Sequence, residues 1–182
     1  MIQLLVSDKI KLKQLQIIDA TVIFNTIDTQ RQYLGEWLPF VESTITVEDT
    51  LNFIHSVSET PESFRELVFC INYCGNFAGL IGLKFNPADK ANRRTEIGYW
   101  LSNVYQKKGI ITESAAVLVN YAFDVLNLNR IAIKCAVGNE RSSKIPRRLG
   151  FEYEGTERDG ELFPDGHFVD LEVYSMLKKD WK

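Results

Sequence analysis

A mixed α/β sheet in one domain is the fold class this sequence predicts, from three observations. Short runs alternate apolar and polar residues with period two, as half-buried strands do. Other stretches carry apolar residues at three-and-four spacing, as buried helix faces do. The two kinds of run interleave in the order β-α-α-β-β-β-α-β-α-β-β. A chain of 182 residues suffices for one substantial domain, residues 1–182, and is too short for two comfortable ones.

The elements follow in order. Segment 9–16, KIKLKQLQ, alternates as a strand. Asp19 offers an N-cap to a helical segment 20–34, and WLPF at 37–40 ends it at Pro39. Thr46 caps a second helix, 47–58, with Val47, Leu51 and Ile54 on one face. Strands near 66–73 and 77–85 are joined at CGN, a tight-turn signal, and NPADKANR is a polar loop before a strand at 94–102. Helix 110–126 carries Ile111, Ala115, Leu118, Val119, Ala122, Phe123 and Leu126 as its buried stripe. Residues 130–137 are β-rich, and Asn139 opens a short helix that stops at Leu149–Gly150, as a glycine terminus should. Segments 151–158 and 168–177 are closing strands, with PDG at 164–166 in the turn between.

The net charge of −3 argues against broad nucleic-acid binding and leaves room for a local anion site. Cys70, Cys74 and Cys135 are odd in number; the first two stand four apart in a strand-like run and read as sharing a face. With no second Cys pair or His nearby, no metal site is expected, and all three read as reduced core thiols in a reducing cytoplasm. The start MIQLLVSDKIKLK meets charge too soon for a signal peptide, and no apolar run approaches membrane-spanning length. A cytoplasmic protein without a membrane partner is the expectation.

Chemistry gathers at YQKKGIITES, residues 105–114. A strand feeds a glycine-bearing turn into a helix N-terminus, where unbonded amides and the helix dipole favour an anion. Gly109 permits close approach, and Lys107 and Lys108 add charge. The pattern G-x-x-x-x-G-K-[ST] is absent, and so is G-x-G-x-x-G, which disfavours the two common nucleotide loops.

The motif Q-x-x-G-x-I after Y-W-L resembles the acetyl-CoA motif of the GCN5-related N-acetyltransferases (GNAT), in the form used by the ribosomal-protein N-terminal acetyltransferases. NERSSKIPRRLGF at 139–151 is similar to that branch's second signature, and EWLPF at 36–40 to its N-terminal motif. Lys107 stands where many members have a second glycine, and Ile111 where the wider superfamily has Gly or Ala. The resemblance implies a mostly antiparallel mixed sheet with one splayed parallel strand pair, 94–102 and 130–137. Pantetheine would insert there against the backbone of Trp100 and Leu101. It implies that acetyl-CoA's pyrophosphate lies against Gln106, Lys107, Lys108, Gly109, Ile110, Ile111 and Thr112. Asn139 would meet the pantetheine arm, and Lys144 and Arg147 are candidates for the 3′-phosphate. A homodimer is also common in that branch.

Acyl transfer to an amine needs a base for the ammonium, a donor for the thioester oxygen and an acid for the thiolate. By resemblance the base is Glu161, just beyond the strand 151–158, or Glu96, on the strand leading to the loop. Ser142 matches the proposed thiolate acid, with Tyr174 a further acid. Trp37 and Phe40 are candidates for the acceptor pocket, and His167, after PDG, for substrate contact; His55 falls on an exposed helix face. Cys135 sits mid-strand among apolar residues, so direct transfer fits better than an acyl-enzyme. Pro146 removes an amide that would bond the Ser142 carbonyl; it reads first as a kink in a short helix, and otherwise as leaving that carbonyl for a ligand or water. The expected activity is acetyl transfer from acetyl-CoA to a primary amine, a protein N-terminus or a small amine such as a polyamine or amino sugar. The alternative is a CoA-binding sensor without catalysis.

Overall fold

The computed structural model describes residues 1–59, 66–85, 89 and 91–182. Its strands are β1 (Gln3–Leu5), β2 (Ile10–Gln14), β3 (Leu67–Tyr73), β4 (Asn76–Lys84), β5 (Arg94–Leu101), β6 (Arg130–Ala136), β7 (Glu152–Leu162) and β8 (Phe168–Leu177). Its helices are α1 (Ala20–Asp28), α2 (Arg31–Gly35), α3 (Phe40–Ser43), α4 (Val47–Glu59), α5 (Ile110–Asn120) and α6 (Glu140–Arg148). The strands form one sheet in the order β1-β2-β3-β4-β5-β6-β8-β7. Every neighbouring pair is antiparallel except β5–β6.

That parallel pair is short. Arg94, Thr95 and Glu96 pair with Arg130, Ile131 and Ala132, and there the ladder stops. Beyond it the two strands part, so on that side the backbone of β5 from Ile97 to Leu101 has no strand partner. An unpaired edge inside a sheet needs another source of hydrogen bonds.

Two apolar layers cover the sheet. On one face Ile23, Ile27, Leu34, Val41 and Ile54 from α1–α4 pack with Val68, Leu80 and Trp100. On the other, Ile111, Ala115, Leu118, Val119, Ala122 and Phe123 pack with Phe69, Ile81, Ile97, Ile131 and Ile133. β4 is buried on both faces from Ala78 to Leu83, as a central strand must be.

Several expectations are corrected. The helix 20–34 is two helices, broken at Thr29–Gln30. Gln30 leaves helical backbone (φ −131°) because its side chain reaches across to Ser102 Oγ (2.9 Å) and accepts from the Asn103 amide (2.9 Å). Asp19 stands at the N-cap position of α1, as expected, but its side chain makes no bond to that helix; its carboxylate accepts from the Gln16 amide one turn earlier and meets Lys13 at 3.3 Å. Cys74 does not share a strand face with Cys70. It is exposed, and with Gly75 it forms the two-residue turn between β3 and β4, both at positive φ (49° and 82°). The segment 121–125 that follows α5 winds as a π turn, with the Leu126 amide bonding the Tyr121 carbonyl. β7 runs to Leu162, so Glu161 lies within a strand instead of beyond one. Much of the NPADKANR loop falls outside the described residues.

Candidate active site

Two cavities open where β5 and β6 part. The first, about 420 Å³, is walled by Tyr33, the 106–112 loop, the end of β5 and one face of α6. Lys107 and Gly109 both take positive φ, 62° and 75°, which turns the chain sharply into α5. Gly109 is the N-cap, and glycine suits a left-handed φ that strains any side chain. Gly109 and the first residues of α5 line this cavity, so the unbonded amides of the helix start lie at its wall, a suitable place for a pyrophosphate. Arg141, Lys144 and Arg148 of α6 line the same cavity. Their spacing of three and four residues places them on one helix face.

The second cavity, about 400 Å³, lies deeper between α1, α3, α4 and the sheet. Trp37 and Phe40 line it, as do Glu66, Lys84, Glu96, Lys134 and Glu161. The two cavities share Trp37, Leu38, Tyr99, Trp100, Asn139 and Ser142. At this junction Asn139 caps α6, its side-chain oxygen accepting from the Ser142 amide at 3.1 Å. The Ser142 hydroxyl lies 3.2 Å from both Cys135 Sγ and Tyr99 Oη. The Tyr99 hydroxyl donates to the Ser142 carbonyl at 3.1 Å. That carbonyl is the one Pro146 deprives of its helical partner, so Tyr99 takes the place the sequence left to a ligand or water. Burial pushes the Tyr99 phenol and the Cys135 thiol up, so both stay protonated at neutral pH. A thiol so held is a poor nucleophile.

The carboxylates differ. Glu96 meets Lys84 at 3.6 Å, and Lys84 crosses β5 over Gly98, where a Cβ would sit 2.9 Å from its Cε. Glu161 has no hydrogen bond or ion pair among the described residues. It is exposed as a residue, yet loss of solvation beside the cavity raises its carboxyl above the usual range; Lys84 opposes the rise and Glu96 adds to it. Glu66, which sequence reading passed over, is raised for the same first reason.

Other predicted residues are placed elsewhere. Arg147 points away from both cavities: its guanidinium donates to Tyr174 Oη at 2.8 Å and pairs with Glu172 at 3.3 Å. Tyr174 in turn donates to Glu172 at 2.7 Å, so its hydroxyl is committed there. His167 contacts Asp165 and stacks on Phe163, outside both cavity walls. The Gln106 side chain donates to the Tyr33 hydroxyl, and the Lys108 ammonium lies over the rings of Tyr73 (5.1 Å) and Tyr105 (5.5 Å). Arg141 and Arg148 were legible in NERSSKIPRRLG from helical spacing, which separates them from Arg147.

This splayed sheet with a glycine-led helix at the split is matched by known proteins. Residues 9–152 match the acetyltransferase (GNAT) domain family. The chain belongs to the GNAT acetyltransferases. It is 38% identical over 180 residues to YdaF of Bacillus subtilis (strain 168), whose name assigns it provisionally as a ribosomal N-acetyltransferase, covering 97% of this chain and 96% of that one. It is 30% identical to the ribosomal-protein-serine acetyltransferase of Escherichia coli (strain K12), over 78% of this chain and 75% of that one. The spermidine N(1)-acetyltransferase of the same strain is also 30% identical, over 87% and 81%. Among solved structures, the microcin C7 self-immunity acetyltransferase MccE, in complex with acetyl-CoA and AMP, superposes with a TM-score of 0.87 at 28% identity, covering 94% of each chain. The protein is an acetyl-CoA-dependent N-acetyltransferase. No helix among the described residues is long and apolar enough to cross a membrane. No cluster of His, Cys, Asp and Glu among them is fit to hold a metal ion.

Proposed function

We propose that this enzyme acetylates a protein N-terminal α-amine by direct transfer. The observation that supports the reading is the shared wall of the two cavities, where one lined by the glycine-bearing loop 106–112 meets one lined by Glu66, Glu96 and Glu161. Acetyl-CoA supplies the thioester. The first cavity fits it: Lys107 and the amides before α5 receive the pyrophosphate, Arg141 and Lys144 the 3′-phosphate, and the unpaired edge of β5 the pantetheine amides. Glu161 takes the proton of the acceptor ammonium, directly or through one water. The freed amine attacks the thioester carbonyl carbon, a C–N bond forms and the C–S bond breaks. Ser142, oriented by Tyr99, delivers its proton to the departing sulfur, and the second proton, shed by the acylated nitrogen, returns to the Ser142 oxygen. The two relatives named for ribosomal proteins support the protein N-terminus as acceptor, and three unpaired cysteines suit a reducing cytoplasm.

A second reading, a small amine as acceptor, is favoured by the spermidine acetyltransferase relative. Thiol release from acetyl-CoA tests both against Ser- and Ala-initiated peptides, spermidine and amino sugars. Peptides are expected to have the highest kcat/KM; faster turnover of spermidine transfers the assignment. Acetyl-CoA binding with no acceptor turned over returns the protein to the sensor reading.

A further inference from the structure

The acceptor cavity holds more negative charge than one amine needs. Leu67 pairs with Leu83 across β3–β4, so Glu66, the next residue outward, lies opposite Lys84. Lys84 in turn pairs with Glu96 across β4–β5. Glu66, Lys84 and Glu96 therefore stand abreast on one sheet face, and all three line the cavity. Lys84 goes to Glu96 at 3.6 Å. The other cation, Lys134, is taken by Glu157 at 2.7 Å. Glu161 is left for the reacting ammonium. Glu66 then remains, half-buried and without a hydrogen bond or ion pair among the described residues.

A second polar group on the same wall also lacks a partner. Thr50, on α4, is 3% exposed and lines this cavity. Its hydroxyl has no hydrogen-bond partner among the described residues, although a helical threonine commonly back-bonds to the preceding turn. A buried hydroxyl left unbonded is costly unless a ligand or water satisfies it.

We propose, on the acetyl-transfer reading above, that the acceptor carries a second cationic group, an ammonium or guanidinium, which binds at Glu66 while Thr50 bonds a polar group along its chain. The strand geometry sets the span. Glu96 precedes the junction residue Tyr99 by three positions on β5, about 10 Å at strand rise. Glu66 lies two strands from Glu96, about 10 Å more across the sheet, so the second cation sits about 14 Å from the reacting amine. A long linear polyamine meets that demand, and so does a peptide whose third residue is basic. Desolvation, which raises the Glu66 carboxyl, makes a bound cation there the more effective.

Initial rates of thiol release with matched acceptors distinguish these sources. One arm compares a terminal diamine with the monoamine of equal length. The other compares a Ser-initiated peptide carrying Lys at its third position with the norleucine version. The wild type is expected to favour the dication of one arm by about tenfold in kcat/KM, the scale of one charge-assisted hydrogen bond. The favoured arm names the source. Glu66→Gln, close in size, is expected to erase that preference. Thr50→Val is expected to raise the melting temperature, because an unbonded hydroxyl is removed, and to raise KM for the same acceptor. Equal use of dication and monocation by the wild type overturns the proposal and leaves acetyl transfer standing. So does a preference that survives Glu66→Gln. If Glu66→Gln fails to fold, a melting temperature lowered by Thr50→Val with an unchanged acceptor KM overturns it. Acetyl-CoA binding without turnover of any amine overturns both the proposal and the reading beneath it.

Discussion

Glu161 and Glu96 line the same cavity in different surroundings, and the proposed mechanism gives them different work. Glu96 pairs with Lys84 at 3.6 Å, whereas the Glu161 carboxyl has no partner among the described residues and is raised above the usual range by loss of solvation. Glu161→Gln is expected to lower kcat by about 10²–10⁴-fold, the usual worth of a general base, with acetyl-CoA affinity unchanged. Glu96→Gln should be milder. A base works ionised, so the wild-type rate should fall as pH drops through a pKa above the ordinary carboxylate range. That limb should vanish in Glu161→Gln. The stability effect has the opposite sense. A carboxyl raised in the folded state binds its proton more tightly there than in the unfolded chain, so it costs stability as pH rises through that pKa. Glu161→Gln should therefore melt higher than wild type at neutral pH, and the gain should disappear in acid. Wild-type turnover in Glu161→Gln beside an inactive Glu96→Gln would transfer the role to Glu96.

The α6 helix has a defect in its ladder beside the proposed site. Pro146 withholds an amide from the Ser142 carbonyl, and the Tyr99 hydroxyl occupies it. Pro146→Ala restores the competing donor. It is expected to stabilise the helix while lowering kcat by up to roughly tenfold, the scale of one lost hydrogen bond. Combination with Tyr99→Phe should be less than additive, because both changes act on one contact. Unchanged kcat in both single variants would remove Tyr99 from the account. At the start of α5, Gly109→Val forces a β-branched residue to a φ of 75° and crowds the approach to the amides. Calorimetry should find acetyl-CoA affinity reduced by at least about tenfold in the folded variant. Undiminished affinity would separate the loop from the phosphates. Features of this kind were legible in the sequence because their cause is local: a glycine at a left-handed position, an Asn before a helix, a two-residue turn at CGN. The break at Thr29–Gln30 was not, since it depends on Gln30 meeting Ser102 and Asn103, more than seventy residues away. Nor was the Tyr99–Ser142 contact, which joins a strand to a helix, nor Glu66, whose role needs the register of three strands.

Across the molecule, one interruption in the sheet organises the two sites. β5 and β6 pair for three residues and part, and the order of strands and helices predicted from periodicity contains the split only as a parallel crossover. The first cavity is lined by basic residues, and the second by three glutamates with Lys84 and Lys134 among them. Lys107, Arg141, Lys144 and Arg148 face the cofactor cavity; Glu66, Glu96 and Glu161 face the acceptor cavity. Replacing Lys107 and Arg141 together by Ala should weaken acetyl-CoA binding by about tenfold or more at low salt, and less at high salt, where screening has already reduced the attraction. Lys108→Ala should weaken it less, because that ammonium rests on Tyr73 and Tyr105. The central claim is that both substrates meet at Tyr99 and Ser142, and a crystal structure of the acetyl-CoA complex tests it most directly. Pyrophosphate oxygens are expected on the amides of residues 107–112, pantetheine along the unpaired edge of β5, and the thioester beside Tyr99 and Ser142. A thioester outside the split, with the Tyr99–Ser142 junction facing only solvent, would contradict it.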